Sequence, residues 1–294
     1  MKPENIALFS ASSTPVVRTP RSIGAILIDA GKLSIADADR VLHWQREENL
    51  RFGDAALKLK VLTQADIDFA LSRQFNYEYL QRGSSQVNES VVAAYDPFSA
   101  QVEGFRTLRS QLLLRWFDGE PSRRVLAVIS PHGKEGRSFV TANLAVVFSQ
   151  LGERVLLVDA DLRNPGQHKL FGMENRRGLS GILAGRDATA EITQVSGLEH
   201  LSILSAGPVP PNPIELLSQA GFSRLLQDLK DRFDVILVDS PPASRYADAQ
   251  VIAVRAGAAI MVVRKDASRA GTALDLAETI QANSTLVGTV LNDY

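Results

Sequence analysis

The feature that most restricts the fold of this chain is a recurring series of short, largely apolar segments in its C-terminal two-thirds. Longer stretches with helical periodicity separate these segments. The segments are Val125–Ile129, Val155–Val158, Leu201–Leu204, Val235–Val238, Ala258–Val263 and Leu286–Leu291. Runs of Val, Ile and Leu are typical of strands covered on both faces, as in a parallel sheet. The alternation predicts an α/β domain with a mostly parallel, doubly wound sheet that binds ligands at the carboxyl ends of its strands.

The chain of 294 residues is long enough for about two domains. Residues 1–20 mix Ser, Thr and Pro without periodicity, and we expect a flexible tail there. Residues 21–80 are predicted to form a small, mainly α-helical domain with a tandem repeat. We interpret residues 81–97 as a linker and residues 98–294 as the α/β domain.

Composition excludes several classes of protein. There is no cysteine, so disulfides, thiolate metal sites and cysteine nucleophiles are ruled out. The formal net charge of -1 gives no reason to expect nucleic acid as a partner. No segment has the apolar core of a signal peptide or approaches the ~18 apolar residues of a membrane span. We therefore expect a cytoplasmic protein whose membrane association comes through a partner.

The segment after the first predicted strand is a candidate phosphate loop (P-loop), Ser130–Phe139. A strand, a glycine-containing loop and a helix start together form an anion site. The segment approximates the motif G-x-x-x-x-G-K-[ST], with Ser138 at the position of the Mg²⁺-binding hydroxyl. It departs from the motif twice, because Pro131 replaces the first Gly and Arg137 replaces the Lys. For the loop alone, a tight strand-to-helix turn without a ligand remains the alternative.

Acidic residues follow two other predicted strands. Asp159 and Asp161 end the second strand, where side chains two residues apart share a face. Asp239 ends the strand Val235–Val238. Mg²⁺ prefers carboxylate and water oxygens beside phosphates, although any single Asp here could instead cap a helix. A P-loop followed by both acidic strand ends favours a P-loop NTPase fold that binds ATP and Mg²⁺.

These segments resemble the bacterial tyrosine kinases (BY-kinases), most closely the EpsG-type chain-length determinant kinases of exopolysaccharide operons. The resemblance runs roughly from Pro97 to Asn292. The block GKEGRSFVTANLAVVFSQLGERVLLVDADLRNP is similar to the family's Walker A through Walker A′ region, VDSPP to its Walker B segment and SAGPVPPNPIELL to its Gly/Pro loop. EGFRTLR matches the family's E-x-x-R-x-x-R pattern, which mediates ring oligomerisation there; by itself it could be a solvated helix face. Its residues are Glu103, Arg106 and Arg109.

The resemblance implies ATP-dependent phosphorylation of tyrosine. By position, Ser138 and Asp161 would serve the metal, Asp239 would hold the metal's water shell, and Asp159 would be the base that orients the attacking hydroxyl. Arg137 would grip phosphate, unless its longer planar side chain does not fit the loop, in which case Lys134 could compensate in part. The expected nucleotide-binding residues are Gly133, Lys134, Glu135, Gly136, Arg137, Ser138 and Phe139.

The resemblance also implies partners. The first partner is another copy of the chain, and the second is a membrane-anchored, Wzz-like chain-length determinant at the inner membrane. Together with this determinant, the protein would control the polymerisation and export of exopolysaccharide. Where the family often has a C-terminal tyrosine cluster, only Tyr294 is present, so we expect it to be the phosphoacceptor. Two alternatives stay open: a nucleotide-binding scaffold with little or no kinase activity, and an ATPase like ParA or MinD. His132, at the position of the signature lysine of those ATPases, counts against the second.

An internal repeat precedes the α/β domain. Ser22–Gln45 aligns with Arg51–Gln74, and each copy predicts a short helix, a turn and a second helix capped by Ser34 or Thr63. The repeat resembles the MshEN module of type II secretion ATPases, which binds cyclic di-GMP. A helical adaptor that has lost the ligand is the alternative. The resemblance implies ligand contacts from Gly24, Ile28, Arg51, Gly53 and Leu57.

Overall fold

The computed structural model describes residues 21–75, 78–185 and 192–293. The chain divides into two compact units, Met1–Tyr77 and Glu78–Tyr294, each of which is described by itself. The predicted tail and the predicted phosphoacceptor Tyr294 lie outside the described residues. None of the described helices is long and apolar enough to cross a membrane.

The N-terminal unit contains two helix–turn–helix repeats, as the sequence predicted. Its helices are α1 (Ile23–Asp29), α2 (Ile35–Glu47), α3 (Phe52–Lys58) and α4 (Gln64–Phe75). Ser34 Oγ accepts a hydrogen bond from the Asp37 N–H at 3.0 Å, and Thr63 Oγ1 accepts one from the Asp66 N–H at 3.3 Å. These caps satisfy backbone donors that have no partner within the helix, so they set the start of α2 and α4.

The second unit is built on one sheet of seven strands, counted among the described residues. The strands are β1 (Val125–Ile129), β2 (Val155–Asp159), β3 (Ile192–Val195), β4 (Leu198–Leu204), β5 (Val235–Asp239), β6 (Ala258–Arg264) and β7 (Thr285–Asn292). Their order is β3-β4-β2-β5-β1-β6-β7. The predicted, mostly parallel sheet is confirmed, with one addition: β3 is an antiparallel edge strand that the sequence did not predict.

Helices cover both faces of this sheet. They are α5 (Val92–Tyr95), α6 (Ala100–Arg115), α7 (Arg137–Ser149), α8 (Gln167–Leu170), α9 (Leu179–Leu183), α10 (Pro213–Ser218), α11 (Ala220–Lys230), α12 (Asp248–Ala256) and α13 (Ala270–Gln281). Along β1, Leu126 and Val128 belong to the apolar core that includes α6 and α7, whereas Val125 and Ala127 belong to the core with α11 to α13. Alternate residues thus enter opposite cores, which explains the unbroken apolar runs.

The segment 81–97 is not a linker, in contrast to the prediction. Val87, Val91 and Tyr95 are buried in the core of the second unit, and the Tyr95 hydroxyl donates to the Val87 carbonyl. The Ala93 N–H donates to Asn143 Oδ1 on α7 at 2.9 Å. Polar residues dominate the first ten positions of the segment, its apolar run at 91–95 is short, and only the folded chain shows that this run and Val87 share one surface.

Candidate functional site

The carboxyl ends of three adjacent strands bring the predicted acidic residues and the P-loop together. Asp159 and Asp239 are register partners across β2 and β5, and Val128 of β1 pairs with Asp239 from the other side. Asp161 follows two residues after Asp159. All three carboxylates are buried. The sequence predicted this meeting because neighbouring parallel strands end at the same edge of a sheet.

The P-loop enters α7 through a glycine with a positive φ angle. Gly136 adopts a φ of +88° immediately before α7, which begins at Arg137. A Cβ atom at Gly136 would lie 2.1 Å from Asn292 Nδ2, which itself donates to the Glu135 carbonyl at 3.0 Å. Glycine is therefore required here both for its positive φ and for the close approach of the end of β7.

Two of the expected nucleotide-binding side chains make their contacts within the protein. The Glu135 carboxylate is buried and accepts hydrogen bonds from the His132 N–H, at 2.7 Å, and from the Ser268 hydroxyl. The Phe139 ring packs edge-on against Phe105, with 5.8 Å between the ring centroids. These two residues could therefore contact a nucleotide only through their backbone atoms, because their side chains hold the loop and α7 in place.

Arg137 points into the acidic cluster. Its Nε lies 3.2 Å from Asp239 Oδ1 and its Nη2 lies 3.4 Å from Asp161 Oδ2. Its Nη1 donates to Ser130 Oγ at 2.8 Å. The guanidinium is buried and has the fork geometry that suits two carboxylates, which an ammonium group lacks. Lys134 lies on the exposed part of the loop, with a φ of +67°.

Asp159 carries the largest electrostatic perturbation in the site. Burial, followed by the nearby Asp239 carboxylate, raises the pKa of Asp159 to about 8. Backbone N–H groups of Gln167 and Gly166 oppose this shift, each donating to Asp159 Oδ2 at 3.0 Å. Near neutral pH this carboxyl group can therefore both hold and release a proton.

Asp161 is perturbed in the same direction. Burial raises the pKa of Asp161, and the Asn164 N–H and the Arg137 guanidinium oppose the rise. Asp161 also differs from Asp159 in its contacts. The Asp161 carboxylate faces the guanidinium, whereas the donors to the Asp159 carboxylate among the described residues are backbone N–H groups. The carboxylates of Asp159 and Asp161 thus have separate environments.

The raised pKa of Asp159 leads to a prediction about stability and pH. Between about pH 4 and pH 8 the folded state holds a proton on Asp159 that the unfolded state has lost, so this residue makes the protein less stable as pH rises. We expect Asp159→Asn to remove that penalty. In urea unfolding of the nucleotide-free protein, the free energy of unfolding of the variant relative to wild type should rise by on the order of 4 kcal/mol between pH 5 and pH 8.

Asp234 supplies the control for this measurement. The Arg154 side chain and backbone N–H hold the pKa of Asp234 below its usual range, so its contribution is lost only at acid pH. Between pH 5 and pH 8, the difference in stability between Asp234→Asn and wild type should therefore stay constant. A constant difference for Asp159→Asn as well would contradict the raised pKa.

Gln167, at the start of α8, is a site residue that the sequence did not reveal. Its side chain is fully buried, and its Nε2 donates to the Ser138 carbonyl at 3.1 Å and to Asp239 Oδ2 at 2.7 Å. A glutamine six residues beyond Asp161 carries no recognisable signal by itself. Only the fold brings it between the P-loop helix and the end of β5.

Arg163 and Asp248 form a second pair that sequence reasoning missed. Two hydrogen bonds of 3.0 and 3.2 Å join the Arg163 guanidinium to the buried Asp248 carboxylate at the start of α12. The Tyr246 ring centroid lies 3.7 Å from the guanidinium carbon of Arg163. The Arg163 N–H also donates to Asp161 Oδ1 at 3.3 Å, so this pair connects the loop after β2 to α12.

The donor set fits a magnesium nucleotide. In the parts of the chain that the structure describes, no group of three or more His, Asp or Glu side chains could hold a metal ion without other ligands. Mg²⁺ in nucleotide sites is usually held by one or two carboxylates together with phosphates and water. Asp161 and Asp239 beside Ser138 and the start of α7 match that requirement.

The residues predicted to mediate oligomerisation lie on α6. Arg106 contacts Glu103 at 3.0 Å and donates to the Pro97 carbonyl, while Arg109 donates to the Val147 carbonyl at 2.6 Å. Both arginines therefore also have partners within their own chain. Glu103 is largely exposed, at 67% of its side-chain surface, so it is the member of the pattern best placed to reach another molecule.

Packing accounts for most of the residues predicted to contact cyclic di-GMP. A Cβ atom on Gly24 would lie 3.3 Å from the Phe52 ring, and one on Gly53 would lie 3.4 Å from Ile67. Ile28 and Leu57 pack against the apolar core of the N-terminal unit, leaving Arg51 as the exposed member of the set. Arg51 precedes α3 and makes no side-chain cap.

Comparison with known sequences identifies relatives of the second unit. A family model described as "ParA: NUBPL iron-transfer P-loop NTPase" matches residues 122–290. Tyrosine-protein kinase YwqD of Bacillus subtilis (strain 168) is 34% identical over 209 residues, which cover 71% of this chain and 87% of the relative. Tyrosine-protein kinase etk of Escherichia coli (strain K12) is 33% identical over 206 residues, or 70% of this chain. The match spans only 28% of that longer relative.

Solved structures give the same result. The kinase domain of Escherichia coli tyrosine kinase ETK superposes with a TM-score of 0.66 at 32% identity, covering 72% of this chain and 83% of that one. The MinD protein from Pyrococcus horikoshii, in complex with Mg-ADP, superposes with a TM-score of 0.51 at 24% identity, covering 58% and 70%. The similarity to MinD concerns the fold alone. The similarity to the ETK kinase domain also extends to the amino-acid sequence.

Proposed function

The chain belongs to the bacterial tyrosine kinases within the ParA class of P-loop NTPases, and we propose that it transfers the γ-phosphoryl group of ATP to tyrosine hydroxyls, including its own. One observation supports this proposal most directly: the buried cluster of Asp159, Asp161 and Asp239 beside the P-loop, which Arg137 partly neutralises. Phosphoryl transfer depends mainly on positioning and charge neutralisation, and this cluster provides both.

Each group has a proposed role in the transfer. The loop amides at the start of α7 bind the phosphates, and the Arg137 guanidinium, which the structure pairs with Asp161 and Asp239, has further N–H groups that can donate to a phosphate. Ser138 and Asp161 would hold Mg²⁺ and Asp239 would hold its water shell, and the ion would neutralise charge on the phosphates. The tyrosine oxygen forms a bond to the γ-phosphorus as the bond to the β–γ bridging oxygen breaks, and ADP leaves. The ionised form of Asp159 accepts the tyrosine proton, and the raised pKa makes that carboxylate a stronger base than an ordinary one.

Mass spectrometry for phosphotyrosine after incubation of the full chain with Mg-ATP tests the proposal. We expect phosphotyrosine in wild type and none in Asp161→Ala. Loss in Tyr294→Phe would identify Tyr294 as the acceptor, and persistence would direct the search to the other tyrosines. If wild type makes none, even with the cytoplasmic segment of its membrane partner added, the protein is a nucleotide-binding scaffold. ATP hydrolysis without phosphotyrosine would point to an ATPase of the ParA type.

The biological setting proposed here comes from the family. The kinase would act at the cytoplasmic face of the inner membrane, held there by a membrane-anchored, Wzz-like chain-length determinant, and would control the polymerisation and export of an exopolysaccharide. Deletion of the gene should change the length distribution of the polysaccharide. An unchanged distribution would remove this role but not the kinase activity.

We propose that α6 mediates self-assembly through Glu103, with Arg106 and Arg109 as further contacts. Reversal of the exposed Glu103 charge by Glu103→Lys should shift the protein towards monomer in sedimentation velocity, because like charges would then face each other across the contact. Gln111→Lys introduces the same charge at another exposed position of α6 and is the control. If both variants assemble like wild type, the contact lies elsewhere.

We also propose that the N-terminal unit binds cyclic di-GMP, with Arg51 contacting a phosphate and Gly24, Ile28, Gly53 and Leu57 shaping the surface. The 24-residue motifs and the exposed Arg51 support this proposal. In calorimetric titration of the full chain, Arg51→Ala should lose binding, whereas Arg46→Ala, an exposed position on α2, should keep it. If the wild-type protein does not bind cyclic di-GMP, the N-terminal unit is a helical adaptor, and its glycines serve packing alone.

A further inference from the structure

Gln167 is the one described side chain that hydrogen-bonds both to α7 and to the carboxylate that ends β5. It contributes from α8, the short helix that follows the loop after Asp161. Its Nε2 donates to the Ser138 carbonyl at 3.1 Å and to Asp239 Oδ2 at 2.7 Å, and its backbone N–H donates to Asp159 Oδ2 at 3.0 Å. All three acceptors belong to segments that the proposed function uses.

The contacts of Asp239 show what Gln167 could do for this carboxylate. Asp239 Oδ1 faces the Arg137 guanidinium, while Asp239 Oδ2 accepts from Gln167. The carboxylate is thus held between a charged donor and a neutral one, with its plane set by both. A neutral N–H donor positions a carboxylate without withdrawing its charge, which keeps it available to a cation or to water bound to that cation.

The burial and hydrogen bonding of the Gln167 amide are consistent with a role in positioning Asp239. Its side chain is 0% exposed, and its Oε1 is a buried oxygen with no hydrogen-bond partner among the described residues. A buried amide oxygen without a partner costs free energy, so such groups deserve a functional explanation. The assignment of Nε2 towards Ser138 and Asp239 is consistent, because both of those partners are acceptors.

We propose that Gln167 is a positioning residue that orients Asp239 for Mg²⁺-dependent nucleotide binding and phosphoryl transfer. The proposal rests on the kinase function proposed above. Gln167 acts through Asp239 and fixes the Ser138 carbonyl to the same point, so the P-loop helix and the end of β5 keep a constant separation. Removal of its donor should affect the magnesium-dependent part of nucleotide binding and the rate of transfer, and should leave the magnesium-free contacts of the P-loop unchanged.

The test compares Gln167→Met with Gln150→Met in the full chain. Methionine keeps the length of the side chain and removes the amide donor. Gln150 also donates through Nε2 to two carbonyls, those of Glu78 and Ala93, but it follows the far end of α7. ADP affinity is measured by calorimetry with and without Mg²⁺, autophosphorylation gives kcat and the KM for ATP, and thermal unfolding reports stability.

For Gln167→Met we expect Mg²⁺ to strengthen ADP binding ~10-fold less than in wild type, with kcat lowered ~10-fold or more. The magnesium-free ADP affinity should stay within ~3-fold of wild type, whereas the KM for Mg-ATP should rise together with the loss of the magnesium effect. Gln150→Met should lower thermal stability and keep all the binding and kinetic constants.

Two results would contradict the positioning role of Gln167. Equal losses of ADP affinity with and without Mg²⁺, or a Gln167→Met protein that behaves like Gln150→Met, would overturn the positioning role. Gln167→Glu is the second variant, because it keeps the shape but presents a carboxylate to Asp239, and it should reduce the magnesium effect at least as much. Failure of the kinase proposal would look different, since the wild type itself would then show no magnesium-dependent ADP binding or no phosphotyrosine.

Discussion

Asp239→Asn should lower autophosphorylation by at least ~100-fold while the protein remains folded. The substitution keeps the size of a buried side chain that lies between Arg137 and Gln167, and it removes the negative charge. Asp239 is also the register partner of Asp159, so the neutral amide should lower the raised pKa of Asp159 towards its ordinary value. The loss should therefore appear in kcat, with a smaller change in Mg-free nucleotide affinity.

Asp234→Asn is a matched control on the same strand. Asp234 lies just before β5, whereas Asp239 ends it, and the Asp234 carboxylate binds Arg154 through two hydrogen bonds of 2.7 and 2.9 Å. The same chemical change at that end of the strand should leave kcat within ~3-fold of wild type, since the pair is far from the P-loop and partly solvated. Equal activity of both variants would remove Asp239 from the mechanism.

Replacement of Arg137 by Met should have the largest effect on stability among the site variants. Without the guanidinium, the Asp161 and Asp239 carboxylates remain buried with no positive partner. Breaking such a pair by removal of one member costs about 3 kcal/mol or more, so we expect a loss of that size in urea unfolding at pH 8. The loss should be smaller at pH 5.5, because burial raises the pKa of Asp161 and its protonated carboxyl group no longer requires a positive partner.

Two comparisons make the Arg137 result specific. Addition of Mg²⁺ should recover part of the stability of Arg137→Met and much less of that of wild type, since a cation can replace the missing positive charge. Arg154→Met removes an arginine from an exposed bidentate pair and should change stability little. If Arg137→Met were as stable as wild type at pH 8, the guanidinium would not be the counter-charge of the acidic cluster.

The parts of the fold that the sequence predicted are those encoded by local pattern. Six of the seven described strands coincide with predicted apolar segments, and β1, β2 and β5 are buried at every residue, as strands covered on both faces require. The meeting of Asp159 and Asp239 followed from strand ends that share one sheet edge. The two N-terminal repeats followed from their caps and their periodicity.

Other features depended on contacts between residues distant in the chain, which no local pattern records. The direction of Arg137 is set by carboxylates that lie 24 and 102 positions away, and the role of Gln167 by an acceptor 72 positions away. The edge strand β3 is mostly exposed and so lacks an apolar run, and the apolar residues within 81–97 are buried only because the core that includes α7 packs against them. The sequence alone thus determined the sheet, the P-loop and the acidic strand ends through local burial and spacing. Only the tertiary structure decided which donor each buried carboxylate receives, because that choice depends on the distances between segments in the folded chain.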